Sequence, residues 1–412
     1  MRKSIPLFVL FLLYTLTLNA ATNISGQVRN NVTWTKSGSP YMIDAGVEIA
    51  PNVTVTIDPG TELILAGNLD IYGAIHLIGT SNDIIRFRSQ DGNDKKLSFM
   101  TGNLPDTLKA QYCSFEHINL RAGGVNLAFD NCSFMNANSL FGSQTPASTV
   151  CITNCNITNT EINMGPSKTF FADKNVVVNG WFKTQYVNNV IITNNVISNG
   201  PYGIWCYYVN TPVFQNNIIF NTTQFGIDLV GGWLDTDNPI SGNIITHNQD
   251  IGIRVRNSDA MLSGNSIYDN TTGIYYASSS QQATFENNCI YNNGENFRYN
   301  SAGSYAIGTN WWGTPDSTTI EGTIFDYEDD FKIGKISFMP VLQQAYTSCK
   351  TYIPTGIPDM AETNSISVSP NPCSNVINIK AAQGDNIRTI QLFDITGKEI
   401  YFSAFKNTNN VS

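Results

Sequence analysis

The sequence predicts an all-β chain: a solenoid of about ten recognisable coils, followed by a linker and a partial β-sandwich. Three observations predict it. Near-copies of one block recur, from "TNNVISNGPYGIW" at residues 193–205 through "QNNIIFNTTQFGID" and "SGNIITHNQDIGIR" to "SGNSIYDNTTGIYY". Apolar residues keep a constant phase within every copy, and Asn and Gly punctuate the same places each time.

Taking Asn195 as reference, equivalent positions fall at Cys113, Cys132, Cys155, Asn175, Asn217, Asn243, Asn265, Asn288 and Asn310, at spacings of 19 to 26 residues. Two residues beyond each stands an apolar side chain (Phe115, Phe134, Ile157, Val177, Ile197, Ile219, Ile245, Ile267, Ile290, Trp312), and three residues before each stands another, from Ala110 to Ile307. Four residues beyond runs a polar column: His117, Asn136, Asn159, Asn179, Asn199, Asn221, His247, Asp269 and Asn292. Coils that pair strand on strand, with inward side chains stacked into one core, account for all these columns. Asn suits the corners because it tolerates left-handed backbone angles, and stacked amides can bond to one another along the axis. Helical repeats of this period are disfavoured by the β-branched and aromatic content.

Residues 1–21 read as a signal peptide. Arg2 and Lys3 precede an apolar run from Ile5 to Leu18, and small residues follow at Ala20 and Ala21. The run is short for a bilayer span. The solenoid is expected over residues 22–345, as an irregular entry region (22–105), regular coils (106–312) and a closing segment (313–345). This pattern resembles the right-handed parallel β-helix proteins of pectate-lyase-like architecture. The stretches "VTVTIDPGTELILAGNLDIYGAIHLIG" and "NWWGTPDSTTIEGTIFDYEDDFKIGKISFMP" resemble their entry and closing segments. The resemblance implies a fold and not a chemistry, since lyases, hydrolases, epimerases, adhesins and non-catalytic proteins share it.

Residues 346–364 read as a linker, with Pro and Gly off the repeat pattern. Over 365–412, Pro370-Asn371-Pro372, the strand Val376 to Ile379 and the hairpin Asp394-Ile395-Thr396-Gly397-Lys398 resemble the C-terminal sorting domain of type IX secretion cargo. The resemblance implies passage across an outer membrane through the type IX machinery, then release or anchoring, hence a secreted or cell-surface protein. That family continues into further strands, a Gly-x-Tyr segment and a basic end. Here the sequence stops at Ser412, so a domain present only in part is expected, by truncation of the sequence or with export impaired.

Charge excludes one partner class. The chain carries −9 with only 13% charged residues and no basic stripe, so nucleic acid is set aside. Cys113, Cys132 and Cys155 share a column in which neighbours lie ~4.8 Å apart. Either one pair closes as a disulfide or, as expected here, all are small buried side chains where Asn is otherwise usual. Cys206 should point inward, and Cys151 with Cys155 lacks the further ligands of a zinc site. His117 and His247 are expected to be corner residues rather than catalytic bases. No Ser/His/Asp triad, metalloprotease motif or phosphate loop is present.

Chemistry concentrates after each Gly-Ile. Alternation turns Ile204/Cys206, Ile227/Leu229, Ile253/Val255 and Ile274/Tyr276 inward. Trp205, Asp228, Arg254 and Tyr275 then form one exposed column, with Tyr207 and Arg256 beside it. The longest spacing inserts "GGWLDTDNP", which brings Trp233, Asp235 and Asp237 near Asp228. Aromatic rings beside carboxylates and arginines suit a polysaccharide: rings stack on sugar C–H faces, and charged groups bond to hydroxyls or carboxylates. The leading expectation is contact with a cell-surface or secreted glycan without assured catalysis. One alternative is a polysaccharide lyase, with calcium on Asp228, Asp235 and Asp237 and Arg254 or Arg256 as base, or a glycoside hydrolase using two carboxylates. The other is a structural or adhesive solenoid, in which Asp228 and Arg254 are a surface ion pair of little consequence.

Overall fold

The computed structural model describes residues 21–100, 107–141, 148–231, 239–279 and 282–352, together with strands 367–369, 378–380, 387–393, 399–408 and 410–411 near the C-terminus. The chain divides into two compact units, Met1–Ile353 and Pro354–Ser412.

The first unit is a parallel β-solenoid of about 12 turns. Each coil gives one short strand to each of three faces in turn. Val187–Thr193 lies on the second sheet, Val196–Ser198 on the first and Tyr202–Tyr207 on the third. Among the described residues the first sheet has 13 strands, from Thr22–Ile24 to Cys289–Tyr291, and the second has 12. The third face comprises a 5-stranded sheet and then a 9-stranded one that begins at Ser139–Leu140.

The apolar columns stack in register. Phe115 pairs with Phe134, Phe134 with Ile157, Ile157 with Val177, and Val177 with Ile197, and the row continues through Ile219, Ile245 and Ile267 to Ile290. Every member is at most 1% exposed, which is how a quasi-one-dimensional fold acquires a continuous core. The same row runs on below Phe115 through Phe87 and Leu63 to Tyr41, so coils precede the ten counted from the sequence. In these early coils Ile85, Thr61 and Ser39 stand where the Asn column would be, and the left-handed turns fall at Gly26, Gly46, Asn52, Gly60 and Gly92, so the repeat is hard to see there.

Asn plays two roles. The polar column His117, Asn136, Asn159, Asn179, Asn199, Asn221, His247, Asp269 and Asn292 is left-handed throughout, with φ between 51° and 62°. The reference column is instead buried and forms a ladder. Asn175 Nδ2 donates to Asn195 Oδ1 at 2.9 Å, and the same bond repeats from Asn195 to Asn217, Asn243, Asn265, Asn288 and Asn310 at 2.9 to 3.1 Å. Each Oδ1 also accepts a backbone N–H of the preceding coil, as Asn217 Oδ1 does from Asn195. Buried backbone donors left over at a corner are thereby satisfied. A second buried ladder links Asn248, Asn270 and Asn293.

The cysteines divide. Cys113, Cys132, Cys155 and Cys206 are buried free thiols. Cys289 and Cys349, which the sequence did not pair, form a disulfide across 60 residues. It pins the segment after the closing coil against the first sheet, where Lys350 N donates to Ser266 Oγ and Tyr352 N to the Tyr268 hydroxyl. In the second unit, Ser367–Ser369 pairs antiparallel with Asn378–Lys380, and Ile387–Phe393 with Glu399–Thr408. Pro370-Asn371-Pro372 and the turn 394–398 lie outside the described residues.

Candidate functional site

The outer surface of the third sheet collects the residues that alternation turns outward. In-register pairing sets Asn163, Lys183, Trp205, Asp228, Arg254, Tyr275, Arg298 and Phe325 in one row along the axis. Tyr207 and Arg256 fall in the neighbouring row, on either side of Val230. Trp205, Asp228, Arg254 and Tyr275 are therefore consecutive neighbours. Trp233, Asp235 and Asp237 lie outside the described residues.

One member departs from the expectation of an exposed column. Asp228 is buried, with a side chain only 1% exposed. Arg254 reaches back across one coil to hold it with Nε at 2.9 Å and Nη2 at 2.6 Å, and Arg256 Nη2 adds a third bond at 3.1 Å. The Arg254 guanidinium lies 3.5 Å from the centre of the Phe225 ring, which closes the other side. A strand residue can point outward and still be covered when long side chains from the next coil fold over it. Trp205, Tyr207, Arg254, Arg256 and Tyr275 are each partly exposed.

Sequence reasoning missed the members that extend this strip. Lys183 Nζ sits 4.5 Å above the Trp205 ring, and Arg298 lies 3.9 Å from the Phe325 ring. With Arg254 over Phe225, three cation–aromatic contacts recur along one face. Trp181, Tyr202 and Phe225 line the adjacent side, Tyr202 stacking on Phe225 at 5.7 Å and meeting Trp205 at a tilt at 5.5 Å. The period of the outward row was the available signal, had it been followed in both directions from Trp205.

Each cation has a carboxylate partner: Glu161 for Lys183 at 3.7 Å, Asp228 for Arg254, and Glu295 for Arg298. Burial lifts the Glu161 carboxyl above its ordinary range, against the pull of Lys183. Hydrogen bonding with Tyr186 raises the Tyr207 phenol. The indole N–H groups of Trp181 and Trp205 are shielded and have no hydrogen-bond partner among the described residues.

Calcium on Asp228 does not fit this arrangement, because both carboxylate oxygens already accept from guanidinium groups. Among the described residues, no group of three or more His, Cys, Asp or Glu side chains is placed to hold a metal ion. His117 and His247 sit at left-handed corners, 3.6 and 3.9 Å from Asp94 and Asp269 respectively. They lie off the third sheet.

Residues 125–327 match the family described as periplasmic copper-binding protein (NosD). Residues 367–412 match the secretion system C-terminal sorting domain. No curated protein sequence matches the chain. Among solved structures, a double mutant of the periplasmic alginate epimerase AlgG is similar at 14% identity and a TM-score of 0.35, over 76% of this chain and 78% of that one. The A-module of the Azotobacter vinelandii mannuronan C-5 epimerase AlgE6 is similar at 11% identity and a TM-score of 0.24, over 76% and 91%. Likenesses this weak carry nothing about activity.

Proposed function

We propose, from the premise that the chain is an exported parallel β-helix protein with a type IX secretion sorting domain, that the outer face of its third sheet contacts polysaccharide and that it binds without turning over its ligand. One observation carries the reading: aromatic rings and paired cations alternate along a single row that crosses the coils. Such a row offers stacking faces and hydrogen-bond donors to a linear sugar chain lying along the axis. Binding is favoured over turnover because both oxygens of Asp228, the carboxylate at the centre, already accept hydrogen bonds from Arg254 and Arg256. Trp233, Asp235 and Asp237, which the sequence groups with Asp228, are proposed to contact the same polysaccharide. Recognition by the type IX machinery belongs to the second unit.

The test is incubation of the mature protein with acidic and neutral polysaccharides, with and without calcium. Retention without change in the glycan supports the proposal. Unsaturated products absorbing in the ultraviolet make the protein a lyase, and new reducing ends alone make it a hydrolase. Retention on none leaves a structural or adhesive solenoid.

A further inference from the structure

A third corner of the coil closes the strands of the third sheet, and in four successive coils it is occupied by Tyr186, Tyr208, Gly231 and Asn257. All four are left-handed, with φ of 54°, 48°, 61° and 45°. The backbone pattern is the same at each: Tyr186 N donates to Tyr207 O, Tyr208 N to Val230 O, Gly231 N to Arg256 O and Asn257 N to Ala277 O. Gly and Asn are the residues this conformation favours, and a bulky aromatic residue there is an outlier. Two tyrosines in succession therefore stand against the backbone preference of their own column.

Core packing does not explain them. Tyr186 is 54% exposed and Tyr208 50%. Their rings stack nearly parallel, at 5.9 Å and 15°, and Tyr207 meets both edge-on, at 5.6 and 4.7 Å. A Cβ on Gly231 would come within 2.8 Å of the Tyr208 ring, so the glycine above leaves room for that ring. The cluster leaves about half of Tyr186 and of Tyr208 exposed on the flank of the strip, and Tyr207 stands two residues along the strand from Trp205.

We infer that Tyr186 and Tyr208, with Tyr207, form a second, uncharged sugar-stacking subsite that takes a neutral pyranose face of the same polysaccharide. The inference rests on the polysaccharide reading above and deepens it. Two features favour a sugar over a second copy of this chain. The cluster is continuous with the strip, through Tyr207 and Trp205 on one strand, and the net charge of −9 opposes self-association. Rings on successive coils meet successive units of a chain running along the axis.

The experiment compares wild type, Tyr186→Asn/Tyr208→Asn and Trp205→Ala by affinity electrophoresis through gels containing polygalacturonate, alginate, xylan or hydroxyethyl cellulose, at low and high salt. Melting temperature and sedimentation are measured alongside. The double variant is expected to melt at the wild-type temperature or above, since Asn suits the corner, and to lose about tenfold in retention, with the loss undiminished by salt because stacking carries no charge. Retention equal to wild type overturns the inference. So does a lowered melting temperature with retention unchanged, and so does a wild-type dimer that the double variant dissolves. If Trp205→Ala alone loses retention, the strip stands and the tyrosine subsite falls. If the double variant alone loses it, the tyrosine subsite stands and the strip does not. Wild type retained in none of the gels overturns both.

Discussion

Arg254 grips Asp228 from the next coil, with two of its nitrogens on the two carboxylate oxygens and its guanidinium 3.5 Å from the centre of the Phe225 ring. The carboxylate is buried and the arginine one-fifth exposed, so the two partners are unequal. Removing the arginine strands a buried charge, whereas removing the acid frees a side chain that can turn to water.

Arg254→Ala is accordingly expected to cost about 2–3 kcal/mol, below the ~3–5 kcal/mol of a fully orphaned buried charge because Arg256 remains. Adding Asp228→Leu to Arg254→Ala should restore most of the loss. Denaturant unfolding of the two single variants and the double variant measures this. Equal costs for the two single changes would contradict the account.

Glu161 gives a pH dependence. Its carboxyl is raised above the ordinary 4.5 by burial, partly offset by Lys183. A raised carboxyl contributes stability that is fully present below its unfolded pKa and lost as pH rises through the folded one. The advantage of Glu161→Gln over wild type should therefore be absent below about pH 4 and grow as pH rises toward neutrality. Melting temperature against pH for both proteins tests this. A variant less stable than wild type at neutral pH would mean that the Lys183 pair outweighs burial.

The buried ladder predicts unequal costs for equal chemistry. Asn243 Oδ1 accepts both the backbone N–H and the Nδ2 of Asn217, and its own Nδ2 reaches Phe214 O and Asn265 Oδ1. Asn243→Leu leaves buried donors without partners and should cost at least about 2 kcal/mol. Asn159→Ala, at an exposed corner where the Asn159 amide bonds, among the described residues, to Asn136 and Asn179, should cost about 1 kcal/mol or less. Unfolding midpoints of the two variants decide it.

The Cys289–Cys349 bridge closes 60 residues, for which the chain-entropy estimate is about 4 kcal/mol. Cys349→Ser should lower the melting temperature. Reductant should lower that of wild type by a similar amount and leave the variant unmoved. A variant that melts like wild type would make the bridge incidental.

Much of the fold was legible because a solenoid repeats its instructions. Ile197, Ile219, Ile245 and Ile267 share a phase in the sequence and a row in the core. Alternation likewise placed Trp205, Asp228, Arg254 and Tyr275 on neighbouring strands. The burial of Asp228 was not legible, because it depends on where arginines of the next coil fold and not on the direction of its own Cβ. The disulfide was hidden because Cys349 lies beyond the repeat and has no column. Tyr186 and Tyr208 were hidden for another reason: their corner varies between Tyr, Gly and Asn, so no residue type marks it.

The most direct test of the third-sheet strip is hydroxyl-radical footprinting of aromatic side chains, with and without a retained polysaccharide. Trp205 and Tyr275 on the strip, and Tyr186 and Tyr208 on its flank, should become protected. Tyr327, Phe331 and Tyr346, exposed elsewhere on the first unit, should react as before. Protection confined to those three, or no protection anywhere while the glycan is held, would contradict the assignment of this face.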